Sequence, residues 1–144
     1  FFSQIEKILD LKIIILAHPK SDKKISKYFN GRKVYFNKTQ ELIYHSSFVL
    51  VEMWSTAISF VIRYRKPAMM IYSDEKISTS FYRDSFFGIA KLSGINFYNI
   101  KDEFSPDNKK NIFLVNKKKY KTFENHFLGT RKKTNYTILK NKFL

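Results

Sequence analysis

Phe2, Ile5 and Leu9 recur at helical spacing over the first ten residues, which predicts a short helix with one apolar face ending near Asp10. Residues 11–17 then hold the unbroken run Ile13, Ile14, Ile15, Leu16. The run is too short for a self-standing helix and rich in β-branched side chains, so it predicts a strand buried on both faces. His18-Pro19 stops it. After a polar, lysine-rich stretch and the turn pair Asn30-Gly31, Val34 to Phe36 predicts a shorter strand. Thr39 is placed to cap a helix through Glu41, Leu42 and Ile43, with Glu41 suited to the positive end of the helix dipole.

Residues 48–51 form a second continuous apolar run, again the mark of a buried parallel strand. It leads into Ser55-Thr56, after which Ala57, Phe60, Val61 and Tyr64 keep helical register and predict a helix that stops before Pro67. Residues 68–72 predict a third buried strand. Tyr82, Phe86, Ile89 and Ala90 predict a helix that Gly94 terminates, and residues 95–98 a strand after it. Residues 117–127 predict a last helix, with Tyr120, Phe123 and Phe127 on one side. Residues 101–111 read as a polar loop. Such regular alternation predicts an α/β domain of Rossmann-like, three-layer form, one mainly parallel sheet between helices, because a parallel pair needs a connection long enough to cross back over the sheet.

Composition narrows this picture. A chain of 144 residues, 44% of them hydrophobic, builds one core, so residues 1–144 are expected to form a single domain, with 117–144 as a basic C-terminal helix and tail. The opening on Phe1, directly into a helical pattern, points to a piece of a longer protein. No apolar run approaches the length of a membrane span, and Glu6 and Asp10 break the order of a secretory signal. The absence of Cys removes disulfides, thiolate metal clusters and cysteine nucleophiles, and fits a cytoplasmic location.

The net charge of +15 favours anionic partners, whether nucleotide, nucleic acid or the anionic face of an inner membrane. Residues 101–144 hold 12 basic and 4 acidic residues, a net +8, and residues 1–100 hold 15 and 8, a net +7, so the tail is the denser in charge. An A/T-rich genome would also enrich Lys, Asn, Ile, Phe and Tyr, which is the competing reading of the same surplus.

Ligands of open α/β sheets gather at the carboxyl ends of the strands, and three segments fall there. In His18-Pro19-Lys20-Ser21, an imidazole can donate to a phosphoryl oxygen, proline stiffens the chain, and Lys20 and Ser21 add a charge and a hydroxyl. The alternative is that His18 satisfies a backbone carbonyl at the strand end. In Trp54-Ser55-Thr56-Ala57, free amides at a helix start make an anion site; the alternative is that Ser55 only caps the helix. Ser73-Asp74-Glu75 offers carboxylates to a sugar or ribose hydroxyl, as does Glu52, or is simply solvated. The chain has no glycine-rich dinucleotide turn and no phosphate loop. His18, His45 and His126 lack metal-ligand spacing, so no metal and no resident cofactor is expected.

The order of His18-Pro19 with Ser21-Asp22, of 28–33 as Tyr-Phe-Asn-Gly-Arg-Lys, of Lys38-Thr39 with Glu41-Leu42-Ile43, of Ser46 to Leu50, of Ser55 to Phe60 and of Lys66-Pro67 resembles the carboxy-terminal half of bacterial GT-B-fold glycosyltransferases of surface polysaccharide biosynthesis, the sialyltransferase-like enzymes above all. The likeness covers residues 15–75, under half of the chain. It implies a donor-binding half of a GT-B fold, in which His18, Ser55 and Thr56 meet the phosphate of a nucleotide-sugar substrate and a preceding domain holds the acceptor glycan. Where many members have a His ahead of Ser-Thr-Ala, this chain has Glu52-Met53-Trp54. The resemblance also implies that the catalytic base lies in the preceding domain, and that this domain acts electrostatically, stabilising the leaving phosphate through His18 and the helix amides.

Two other readings use the charge alone. A non-enzymatic basic module would bind nucleic acid or another anionic polymer through Lys117-Lys118-Lys119 and Arg131-Lys132-Lys133, with affinity that falls steeply with salt. Alternatively, the enzyme uses the same tail to rest peripherally on the inner membrane.

Overall fold

Strand and helix alternate through the structure, a computed structural model that describes residues 1–52 and 55–129. Helix α1 (Phe2–Leu9) precedes β1 (Ile15–Ala17); β2 (Val34–Phe36), α2 (Thr39–His45), β3 (Val49–Glu52), α3 (Thr56–Arg63), β4 (Ala68–Tyr72), α4 (Ser80–Ser93) and β5 (Asn96–Asn99) follow. A four-residue helix, α5 (Lys109–Ile112), and α6 (Lys117–Phe123), which runs on into a π-helical segment Glu124–Leu128, complete the described chain. Arg131, Lys132 and Lys133 of the basic tail, and Met53 and Trp54, lie outside the described residues. Among the described residues no helix is long and apolar enough to cross a membrane.

The α/β expectation holds, and every strand pairing is parallel. Among the described residues the strands of the expected single sheet fall into two: β1 pairs with β2, and β3, β4 and β5 lie side by side in that order. Residues 11–17 depart from expectation as well, since only three of them form a strand. The Ile13 N–H donates at 3.0 Å to the Glu6 carboxylate rather than to a neighbouring strand, and Ile14 is 39% exposed. The run is therefore not a strand buried on both faces.

Side chains of a strand alternate between its faces, and the three-stranded sheet obeys this. Val49, Val51, Ala68 and Met70 enter one core with Ile43 of α2, Ile58, Val61 and Ile62 of α3, Phe86 and Ala90 of α4, and Tyr120 and Phe123 of α6. Met69 and Ile71 enter a second core with Ile5 and Leu9 of α1, Phe104 and Ile112. Helices thus cover both faces, the condition under which a parallel sheet is stable. Leu16 packs against the first core and Ile13 against the second. Val61, Ile62, Met70 and Phe86 have no exposed surface, so truncating any one to Ala removes about 2–5 kcal/mol.

Three further local details differ from expectation. Thr39 is the first residue of α2 rather than its cap; Lys38 holds the cap position without a side-chain bond. The lysine-rich stretch folds as a 3-10 helix, Lys23–Phe29, because the Asp22 carboxylate accepts from the Lys24 N–H at 2.8 Å. The polar stretch 101–111 contains a 3-10 turn at Pro106–Asn108 and the start of α5, since Phe104 and Ile112 anchor it to the second core.

Candidate functional site

The carboxyl ends of β3, β4 and β5 face one side, because the three strands are parallel. Helices α2 and α3 finish together at the amino edge of the β3–β5 sheet, where the Tyr44 and Tyr64 rings meet at 5.2 Å and Lys66 Nζ donates to the Ser46 carbonyl at 2.9 Å. Helix α2 is seven residues long, or about 10 Å, and starts just beyond β2. The carboxyl end of β2, and with it that of β1, therefore stands at the same edge as the start of α3.

At the end of β1, residues 18–21 close a turn in which the Ser21 N–H donates to the His18 carbonyl at 2.8 Å, with Pro19 in the second position that its fixed φ favours. The Lys20 N–H donates to His18 Nδ1 at 3.1 Å. A ring nitrogen that accepts carries no proton, so the neutral imidazole bears its proton on Nε2. His18, Pro19 and Lys20 are exposed. The ring thus accepts from a backbone amide of its own turn rather than satisfying a backbone carbonyl, and its other nitrogen offers a donor.

At the start of α3, Ser55 is the N-cap: its hydroxyl oxygen accepts from the Ala57 N–H at 3.2 Å. Thr56 is the exposed first residue of the helix. The capping alternative is therefore real for Ser55, and the hydroxyl proton of each residue remains available to donate. Ser55 and His18 share an edge but make their hydrogen bonds within their own segments.

The ends of β4 and β5 are tied together. Asn99 Nδ2 donates to Asp74 Oδ1 at 3.0 Å, and Lys101 Nζ reaches Glu75 Oε1 at 2.6 Å and Asp74 Oδ2 at 3.8 Å. The Lys101 hydrogen bond is the main cause that lowers the Glu75 carboxyl to about 2, and the same bond raises the Lys101 ammonium. Glu52, at the end of β3, faces Lys76 at 3.8 Å with both side chains 61% exposed, a contact too open to fix either. Sequence reasoning missed Asn99 and Lys101 because it ended the strand at Tyr98. The signal was there: a polar Asn-x-Lys directly after the predicted run 95–98.

Charge is sorted along this edge. Beyond β1 and β2 stand Lys20, Lys23, Lys24 and Lys38 against Asp22 and Glu41; beyond β3, β4 and β5 stand Glu52, Asp74, Glu75, Asp102 and Glu103 against Lys76 and Lys101. In a chain of net charge +15 the second group is a local reversal of sign. A concave volume of about 1000 Å³ lies elsewhere, along the outer side of β5. It lies beside the edge strand rather than beyond the strand ends, so the carboxyl edge, where polar side chains of several elements converge, is the better candidate for chemistry. Among the described residues no group of three or more His, Asp or Glu is placed to hold a metal ion.

Comparison with models of protein families, with curated proteins and with solved structures gives no match for this chain. The likeness to glycosyltransferases therefore rests on the order of its motif residues.

Proposed function

We propose that this domain binds a nucleotide sugar as donor for glycosyl transfer in bacterial capsule or lipopolysaccharide synthesis, as a glycosyltransferase half whose acceptor domain precedes it. The observation that carries the reading is the sorting of charge along one strand edge. A nucleotide sugar is a diphosphate or monophosphate joined to hydroxyl-rich rings. Its phosphate suits the lysine-rich end, where His18 Nε2–H, the Ser55 and Thr56 hydroxyls and the α3 amides can donate. Its ring hydroxyls suit the carboxylates Glu52 and Asp74 as acceptors. The role of the domain is electrostatic: donors aimed at the leaving phosphate stabilise the charge that develops as the glycosidic bond breaks. No metal is required for this, because amides and basic side chains supply the positive potential.

The test is thermal denaturation of the chain with CMP, UDP, GDP and their sugar conjugates, since a ligand specific to the folded state raises apparent stability. A rise with one base, lost in His18→Ala and in the Ser55→Ala/Thr56→Ala pair, supports the reading. Equal shifts in those variants would remove the residues from the site.

A second reading has its own observation. Lys117, Lys118, Lys119 and Lys121 are all exposed on α6 while Tyr120 and Phe123 are buried, which sets a basic face opposite the core. A nucleic-acid module would use that face, and its affinity would fall steeply between low and physiological salt. A phosphate group held by a few fixed donors loses far less.

A further inference from the structure

Strand β5 ends the three-stranded sheet; among the described residues its ladder is to β4 alone. The Ile100 N–H donates to the Tyr72 carbonyl at 2.9 Å. Because main-chain groups alternate sides along a strand, Asn96 and Tyr98 also address β4, whereas Phe97 and Asn99 turn theirs outward. The Asn99 carbonyl accepts from the Asp102 N–H at 3.1 Å, which leaves the Phe97 N–H and C=O and the Asn99 N–H on the open side. Natural edge strands are blunted by lysine, proline or a bulge. This one reads Asn-Phe-Tyr-Asn, and its Phe97 is 49% exposed.

Both helical layers overhang the edge. The groove of about 1000 Å³ beside β5 is walled by Phe87, Ala90 and Lys91 of α4 with Lys119 of α6 on one side, and by Asp107 and Ile112 on the other. Main-chain donors and acceptors on the floor, with side-chain walls above both sheet faces, are the features of a site for an added strand.

We propose that the β5 edge takes an extended acidic peptide strand of another protein, in hydrogen-bond register with Phe97 and Asn99. Alternate side chains of such a strand point to opposite walls. Carboxylates suit the wall of Lys91 and Lys119; apolar side chains suit the wall of Ile112, where Asp107 repels further acid. Charge also decides against a second copy of this chain: pairing two β5 edges would bring Lys91 and Lys119 of both together, in molecules that each carry +15.

The probe is a labelled peptide of alternating Glu and Val, titrated into the full chain by fluorescence polarisation, beside a Lys–Val peptide. Saturable binding of the Glu–Val peptide alone is expected, with the Phe97 and Asn99 amides gaining protection from hydrogen exchange. Phe97→Pro removes an outward N–H without touching the β4 ladder, a position where edge strands tolerate proline, and should weaken binding about tenfold or more. Phe97→Leu loses the ring but keeps the N–H and should bind within about threefold. Lys91→Glu should reverse the preference between the two peptides. Equal binding of both peptides, no change in protection of the two amides, or a dimer seen by sedimentation that Phe97→Pro abolishes would each overturn the proposal.

Discussion

Replacing Glu6 by Gln tests what joins the first helix to the first pair of strands. Arg32 Nη2 and Nε donate to the two Glu6 oxygens at 2.6 and 3.2 Å, and the Ile13 N–H donates to the same carboxylate at 3.0 Å. The Arg32 side chain is only 10% exposed and that of Glu6 25%; the guanidinium also meets the Ser3 hydroxyl, the Phe29 carbonyl and the face of the Phe2 ring. A neutral amide keeps the shape and can still accept from Ile13, but it withdraws the charge from two bonds to a largely buried cation. Hydrogen bonds to charged groups contribute about 1.5–3 kcal/mol each, and the partial exposure of Glu6 reduces the total, so the expected loss is about 2 kcal/mol. At about 4 °C per kcal/mol for a chain of this size, the midpoint falls by roughly 8 °C.

Urea denaturation of Glu6→Gln, Arg32→Leu and the double variant gives the coupling directly. Glu41→Gln is the control: its pair with Lys38 is 3.6 Å long, with side chains 58% and 51% exposed, and its loss should change stability by less than about 0.5 kcal/mol. The pH dependence has a definite sign. Arg32 and the Ile13 amide lower the Glu6 carboxyl below its ordinary value, so its contribution is complete above the unfolded carboxylate pKa and disappears as pH falls through the folded one. The gap between wild type and Glu6→Gln should therefore close in acid. A coupling energy below about 0.5 kcal/mol, or a gap that persists unchanged into acid, would refute the reasoning.

Other outcomes follow from the same geometry. Ser55→Ala should cost about 1 kcal/mol in urea titration through loss of the α3 cap, whereas Thr56→Ala, an exposed position, should cost less than half of that. Burial raises the Tyr120 hydroxyl to about 12, with Arg65 opposing. The folded state therefore favours the neutral phenol, and stability should hold below the ordinary tyrosine pKa and fall from about pH 10 to pH 12. Tyr120→Phe should lack that alkaline component and lose about 1 kcal/mol at neutral pH with its bond to the Lys66 carbonyl, both readable by denaturation across pH. Gly94→Ala should cost about 1–2 kcal/mol, because φ is +69° there and an added Cβ would stand 2.6 Å from Lys119 Cδ.

The elements legible in the sequence were those whose pattern is decided locally. The periodicity of Ala57, Phe60, Val61 and Tyr64 and the αL stop at Gly94 needed no tertiary information, and residues 68–72 formed the strand their apolar run predicts. The shortness of β1 was not legible, since it turns on Glu6, held by Arg32 26 positions away, drawing the Ile13 N–H out of the ladder to β2. Helix α5 was hidden for a similar reason: a polar stretch becomes ordered because Phe104 and Ile112 find a core formed by α1 and β4. Of the candidate site, His18, Ser55 and Asp74 could be named from strand ends alone. The link from Asp74 to Asn99 and Lys101 could not, because it depends on which strand lies next to β4.

The break between the β1–β2 pair and the three-stranded sheet has a kinetic side. Among the described residues no backbone ladder joins them, and the pair is held by the Glu6–Arg32 clamp and the packing of Leu16 and Ile13. A two-stranded unit with so little buried surface is expected to open more readily than the three-stranded sheet. The amides of Ile15–Ala17 should then exchange with solvent long before those of Met69 to Ile71. The turn that bears His18 rides on the quick plate and the Asp74 turn on the slow one. A molecule that grips both at once would act as a staple across the gap, and its binding would be felt first as the slowing of the quick plate.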